Sequence, residues 1–331
     1  MMLRHLLDGQ VRRRRVDIKF SSVDIHFNQF MGKATSSTIP SRFEAMSPME
    51  HQTSQRANQM TAYLGLEGTR PYAGAGWYYA EYRDRVSAEL MALLAEQLGW
   101  STRRRVLDVG AGPGQLSLLI APFVAEVVAI EPEPDMLAEG ERRAAMAGIG
   151  NVRFVAGSSD DLPALRSPLG MFCAALMGQS FHWMVDKDRV LEDLSAMIDE
   201  VDGAIAFVTP RTISIPDELR AAQEVTQEIL ERHLVNVPPG PHPNGRHDPF
   251  EEILGRSPFP RIERIERIYE TRVRPTIESI LGYAYTISHV LTRLGANRGA
   301  FEHEARAALS WVKSVGEVSV MRRDEALIGR R

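Results

Sequence analysis

Val106-Leu107-Asp108-Val109-Gly110-Ala111-Gly112-Pro113-Gly114-Gln115 is an apolar run that ends in a carboxylate and then breaks into three alternating glycines. The pattern predicts a strand turning into a helix around a nucleotide-like ligand. Glycine permits positive φ in the tight turn and lets the backbone approach the ligand with no Cβ in the way. Leu116-Ser117-Leu118-Leu119-Ile120 supplies the apolar start of the helix that follows. The ligand is expected across the carboxyl end of the strand.

Loops of this kind serve both dinucleotides and S-adenosylmethionine, so the surrounding residues decide between them. A dinucleotide fingerprint asks for Gly or Ala three positions after the second glycine, where this chain has Gln115. Asp108 speaks more strongly, because a carboxylate at the strand end suits a ligand with an ammonium group and repels a pyrophosphate. A second strand, Ala125 to Ile130, ends in Glu131, whose carboxylate suits the two ribose hydroxyls of either ligand class. Pro132 to Leu137 opens another helix, with Asp135 near the positive end of its dipole. A third strand, Val152 to Ala156, runs into Gly157-Ser158-Ser159-Asp160-Asp161-Leu162-Pro163, where a loop carboxylate suits an adenine amino group.

Four motifs now stand in order: Asp108 with Gly110, Gly112 and Gly114; Glu131; Ser159-Asp160 before Leu162-Pro163; and Phe181-His182-Trp183. In this the chain resembles the class I S-adenosylmethionine-dependent methyltransferases, specifically the small-molecule, trans-aconitate methyltransferase-like branch, most clearly over residues 72 to 210. The resemblance implies an α/β fold, a Rossmann-like doubly wound and mostly parallel sheet with a reversed edge strand and helical lid insertions. It implies S-adenosylmethionine as cofactor, with Gly110 and Gly112 under the methionine portion, Glu131 on the ribose, and Ser159 and Asp160 at the adenine. Tyr82, Arg83, Asp108 and Gln179 join them as cofactor-binding residues, Tyr82 and Arg83 from a Tyr-x-x-Tyr-Arg lid segment that offers Arg83 to the cofactor carboxylate. Two departures stand out, Ser159 in place of the usual Ala and Phe172-Cys173 where many relatives carry an acidic residue.

The 331 residues are 44% hydrophobic and 25% charged with a net charge of -4, ordinary for a globular enzyme and unlike a basic nucleic-acid binder. No apolar run is long enough to span a bilayer, so a membrane partner is not expected. The single cysteine, Cys173, lies in an apolar run and reads as a buried small hydrophobe; with no disulfide to form inside the chain, a cytoplasmic setting is expected. Arginine far outnumbers lysine, which hints at a GC-rich bacterial genome. By association, that points to specialised metabolism and an amino-sugar acceptor in antibiotic biosynthesis, with carboxylates at Asp248, Glu251 and Glu252 near the expected lid.

Residues 1-70, with the basic run Arg12 to Arg15 and a polar stretch at Ala34 to Ser41, read as a flexible extension before a domain at 71-331. Within that domain, residues 83 to 99 read as one amphipathic helix, strands are expected at 171 to 177 and 203 to 208, and helices at 187 to 198 and 217 to 235. A substrate-lid insertion is expected at about 211-258, including the breaker-rich loop Val237 to Pro249 as its substrate-facing part. A strand over Arg261 to Arg274, a helical cap at about 275-313 and a last strand near 315 to 322 complete the chain.

Methyl transfer needs the acceptor lone pair in line with the bond to the methyl group, and a hydroxyl acceptor also gains from a general base. His182 is the candidate catalytic residue; its other reading is support of its loop through a backbone hydrogen bond. Phe181 and Trp183 read as core, and Tyr78, Tyr79 and Tyr82 as core or cofactor cover. No metal site is assigned, because His242, His247 and Asp248 sit in a loop without a second ligand pair. His289 and Glu278 read as a solvated helix face. The acceptor is expected to be a polar small molecule methylated on nitrogen or oxygen. A non-catalytic cofactor-binding regulator and an NAD-dependent oxidoreductase remain as alternatives.

Overall fold

The computed structural model describes residues 70-234 and 249-331, together with the backbone of Arg12 and Arg13. Its strands are β1 (Arg12–Arg13), β2 (Arg105–Val109), β3 (Glu126–Glu131), β4 (Val152–Ala156), β5 (Ala174–Gly178), β6 (Ala204–Ser214), β7 (Arg261–Val273) and β8 (Val318–Arg330). They form one sheet in the order β1-β7-β8-β6-β5-β2-β3-β4. From β4 to β6 every pairing is parallel, whereas β8 runs antiparallel to both β6 and β7. The reversed strand is therefore interior, between β6 and β7, and not at the edge as expected.

Strands β2, β3 and β5 are almost wholly apolar and buried, as strands covered on both faces must be. Alternate residues feed two cores. Leu107, Val109, Val128 and Ile130 pack on one face with the helices Leu162–Leu169 and Lys187–Ser195, while Val106, Val127 and Leu176 pack on the other with Ala88–Gln97 and Gln115–Ile120. A third cluster joins the helices Asp217–His233, Ile277–Ala284 and Arg298–Ala308 over the sheet. The chain runs from β2 outward through β3 and β4, then returns to β5 on the other side of β2. A crevice opens at such a reversal of strand order, outside the carboxyl ends of the two diverging strands.

Several elements differ from their sequence reading. The helix expected over 83 to 99 begins late, as Ala88–Gln97, because Arg83 is extended at φ -73 and ψ 144 as the cap of a preceding helix, Gly76–Tyr82, and Ser87 caps the later helix through the Leu90 amide. The helical cap expected at about 275-313 is interrupted early: Ile277–Ala284 ends before His289, which sits in the left-handed region at φ 68 ahead of Val290–Leu294. Strands β6 and β8 both run past their expected ends, since each supplies the other's backbone partners. The loop at 237 to 249 lies outside the described residues except for Pro249, as do His242, His247, Asp248 and the side chains of the first seventy residues apart from Arg70. Among the described residues, no helix is long and apolar enough to cross a membrane.

Gly140 sits inside the helix Pro134–Ala147, and a Cβ there would run into the Phe154 ring of β4. Helix propensity alone predicts that Gly140→Ala stabilises by ~1 kcal/mol. Overpacking of a well-filled contact costs ~1–3 kcal/mol. The expected outcome in urea denaturation is a net loss of stability, and a gain would show that Phe154 moves aside freely.

Candidate active site

Strand β2 ends in a loop whose three glycines all adopt positive φ, +70 at Gly110, +57 at Gly112 and +73 at Gly114. The amides of Gly110 and Ala111 both donate to the Ile130 carbonyl of β3, at 2.8 and 3.0 Å. A Cβ at Gly110 would come within 2.5 Å of the Ser180 Cβ, and one at Gly114 within 2.9 Å of the Phe154 ring. Nothing lies within 4 Å of the corresponding point at Gly112. The loop is thus closed against protein on two sides and open at Gly112, the side on which a ligand can meet bare backbone.

Asp108, 1% exposed, lies at the floor of this cleft. Its Oδ2 accepts the Ser117 hydroxyl at 2.6 Å, while its Oδ1 is buried without a partner. Burial raises its pKa to about 6, and the Ser117 hydrogen bonds only partly offset that. An orphaned buried carboxylate oxygen is costly unless something donates to it. The ammonium group of an amino-acid end does so, which makes Asp108 a fit for the cofactor the motifs imply.

Glu131 closes β3. Its Oε2 accepts the Gly112 amide at 2.8 Å and its Oε1 the Glu133 amide at 3.0 Å. Burial raises its pKa to about 7, with the Glu133 and Asp108 carboxylates adding to the effect. Each carboxylate oxygen keeps a further lone pair for a hydroxyl.

The cleft brings together Arg83, Asp108, Gly110, Gly112 and Gln179 of the expected residues. Gln179 is one of two non-glycine residues at positive φ among those described, at +52. Strain of this kind persists where the surroundings demand it, and here the Gln179 side chain bridges two parts of the cleft. Its Oε1 accepts from Arg83 at 3.4 Å and its Nε2 donates to the Pro210 carbonyl at 3.1 Å. The Arg83 guanidinium also donates to the Thr286 hydroxyl at 3.5 Å and lies 5.6 Å from the ring centres of both Tyr79 and Tyr283. Among the described residues no carboxylate pairs with it.

The remaining expected residues do not line the cleft, Glu131 included, which reaches its edge through the Gly112 amide. Tyr82 packs edge-on to Trp77 and closely over Gly282, and Tyr79, three residues earlier, faces the cleft in its stead. The signal for Tyr79 was its position one helical turn before Arg83, the spacing at which a helix stacks a ring under a cation. Gln115 also lines the cleft and donates to the Tyr79 carbonyl at 3.3 Å, joining the loop to the helix above it. Ser159 and Asp160 stand at the end of β4, where Asp161 is engaged by the Ser158 amide and hydroxyl and Asp160 remains exposed. His182 sits half-buried on the turn after β5, tilted against Trp183 at 5.3 Å. Phe181 is core, stacked on Phe207 at 4.4 Å, and Trp183 packs edge-on to Tyr72. Cys173 is buried, with its pKa raised to about 11 by burial. His289 is not on a solvated face. It is buried, its backbone amide donates to the Pro71 carbonyl at 2.7 Å, and its Nδ1 has no partner. Glu278 does face solvent, paired with Arg306 at 2.8 Å.

The sheet order, the loop open at Gly112 and the orphaned carboxylate beneath it define an α/β domain built to hold a nucleoside that carries an amino-acid end. Residues 106-200 match the family described as Methyltransferase domain, and this stretch is a class I S-adenosylmethionine-dependent methyltransferase domain whose cofactor is S-adenosylmethionine. The nicotinamide alternative gives way to that assignment. The chain is 26% identical over 123 residues to the Probable S-adenosylmethionine-dependent methyltransferase CRG1 of Saccharomyces cerevisiae, covering 36% of this chain and 40% of the relative. It is 28% identical over 138 residues to the Uncharacterized methyltransferase YcgJ of Bacillus subtilis, covering 42% of this chain and 53% of the relative. A 23S rRNA (uracil(1939)-C(5))-methyltransferase RlmD of Shewanella amazonensis is 39% identical over 103 residues, 31% of this chain and 23% of the relative. The chain thus spans from two fifths to about half of the length of the first two. The crystal structure of YcgJ superimposes with a TM-score of 0.43 at 16% identity, covering 74% of this chain and all of that one.

Both buried carboxyls have pKa values above their unfolded ones, so these two groups contribute most to stability where they are protonated. That contribution is complete below the unfolded carboxyl range and is lost as pH rises through about 6 for Asp108 and about 7 for Glu131. Asp108→Asn keeps an acceptor for Ser117 and removes the buried charge. It is expected to stabilise the ligand-free protein by ~1–3 kcal/mol at pH 8 and by almost nothing at pH 4, measured as melting shifts. A destabilising effect at pH 8 would show that Asp108 is already compensated.

Proposed function

We propose that this protein transfers a methyl group to a nitrogen or oxygen of a polar small molecule. The observation that carries the reading is the charge pattern of one cleft: among the described residues, a buried carboxylate with a vacant acceptor at Asp108 and an arginine without a carboxylate partner at Arg83. A zwitterionic amino-acid end satisfies both. The bound cofactor supplies an electrophilic methyl group on a sulfonium. In this reading Asp108 accepts from the ammonium group, Arg83 and Gln179 hold the carboxylate end, and the open backbone at Gly112 lies under the methionine portion. Glu131 takes the ribose hydroxyls on its remaining lone pairs, Ser159 and Asp160 meet the adenine, and Tyr82 acts through the packing of the helix that carries Tyr79. His182 takes the proton of a hydroxyl acceptor or holds its loop.

The small-molecule acceptor is supported by the net charge of -4, unlike that of a basic nucleic-acid binder. The match to an rRNA methyltransferase name makes nucleic acid the reading to test against it. Of the carboxylates that suggest an amino sugar, Glu251 is already ion-paired with Arg264 and Asp248 lies outside the described residues. Among the described residues Glu252 is the one of the three that favours that acceptor and a place in antibiotic biosynthesis. A cytoplasmic location belongs to the same reading.

Calorimetric titration with S-adenosylhomocysteine, with NAD in parallel, is expected to show binding of the former alone, near -8 kcal/mol for a ~1 μM constant. Glu131→Ala should weaken it by ~1–3 kcal/mol; unchanged affinity would remove the ribose from Glu131. With a radiolabelled methyl donor, a panel of amino and hydroxy compounds should accept label where total RNA does not. His182→Ala should slow that transfer with little change in cofactor affinity, whereas loss of folding assigns it to loop support. Cofactor binding with no acceptor labelled at all would favour a regulatory cofactor-binding protein.

A further inference from the structure

Five residues, Arg83 to Ser87, separate the helices Gly76–Tyr82 and Ala88–Gln97, and four of them, Arg83 to Val86, line the cleft. We propose that Asp324 and Arg322, on β8, are positioning residues that clamp this strap and so hold the Arg83 guanidinium in the cleft. The Ser87 amide donates to Asp324 Oδ2 at 2.7 Å. Arg322 pairs with Asp84 Oδ1 at 2.7 Å, and the Thr212 hydroxyl donates to Asp84 Oδ2 at 3.2 Å. Both ends of the strap are therefore tied to the β6–β8 pair.

The register of that pair shows that one piece of sheet grips Arg83 twice. Thr212 lies opposite Arg322, and Pro210 lies opposite Asp324. Pro210 holds Gln179, which accepts from Arg83, and the residues facing Thr212 and Pro210 hold the strap from which Arg83 projects. Asp324 is 0% exposed, also accepts the Tyr269 hydroxyl of β7 at 3.2 Å, and leaves its Oδ1 without a partner. A well-packed apolar residue commonly serves stability as well as a buried charge does. What the carboxylate supplies here is a directed bond to the Ser87 amide, which an apolar residue cannot make.

This role rests on the reading of Arg83 as the partner of the cofactor carboxylate. The test is S-adenosylhomocysteine affinity by calorimetry on the full chain, with melting temperature recorded for each variant. Asp324→Ala is expected to weaken binding roughly tenfold, and to have no further effect on affinity in an Arg83→Ala background, although its melting shift persists there. Asp324→Asn, which keeps an acceptor for the Ser87 amide, should recover most of the affinity. Should Asp324→Ala fail to fold, Arg322→Gln is expected to show the same dependence on Arg83. Equal losses of affinity in both backgrounds, or a lowered melting temperature with unchanged affinity, would overturn the positioning role alone. Absence of binding by the unsubstituted protein would overturn the cofactor reading and this role with it.

Discussion

One carbonyl, that of Ile130, receives two amides, those of Gly110 and Ala111, and on this double bond the arrangement of the cleft depends. It fixes the β2 loop against β3 before any side chain is considered. The next amide, that of Gly112, then points at the Glu131 carboxylate, which stands just beyond Ile130 on the same strand. Backbone and carboxylate order each other, and the three left-handed glycines are the conformations that allow it. Residues with a Cβ at Gly110 or Gly114 would strike Ser180 or Phe154, so the neighbouring elements are packed to the shape of the bare loop.

The cost of the site is electrostatic. Asp108 and Glu131 sit in the buried sheet with no cation paired to them among the described residues, and burial pushes both pKa values toward neutrality. Proteins retain such groups where a ligand compensates them, and stability is lower until it does. Arg83 poses the opposite problem, a cation embraced by two rings, a hydroxyl and an amide oxygen with no carboxylate paired to it among the described residues. Asp108 and Arg83 carry imbalances of opposite sign and line one cavity, and that pairing is what the proposed zwitterionic ligand rests on.

Much of this was legible in the chain because it is local. The strand–loop–helix at 106 to 120, Glu131 at the end of β3 and the loop after β4 each announce themselves within ten or so residues, through apolar runs and glycine spacing. What could not be read is what depends on distant partners. The helix assigned to 83 to 99 starts only at Ala88, since β8, more than two hundred residues later, takes up the Ser87 amide, and Arg83 and Ser87 are both extended. His289 looked like a surface residue on a helix and is buried at a left-handed break over Pro71. Tyr82 and Tyr79 share the same lid helix, and only the presence of Gly282 above one of them shows which ring turns away from the cleft.

The sequence by itself determined the parallel half of the sheet, the ligand loop and the pair of strand-end carboxylates, because glycine conformation, hydrophobic runs and charge placement act within a few residues. The tertiary structure alone decided the place of β8 between β6 and β7, the extension of both strands beyond their apolar segments, and through them the strap and the setting of Arg83. Those features are made by hydrogen bonds between segments far apart in the chain, and such partners leave no periodicity behind. Arg322, Asp324 and Thr212 read as ordinary polar residues until the register of an antiparallel pair sets them side by side.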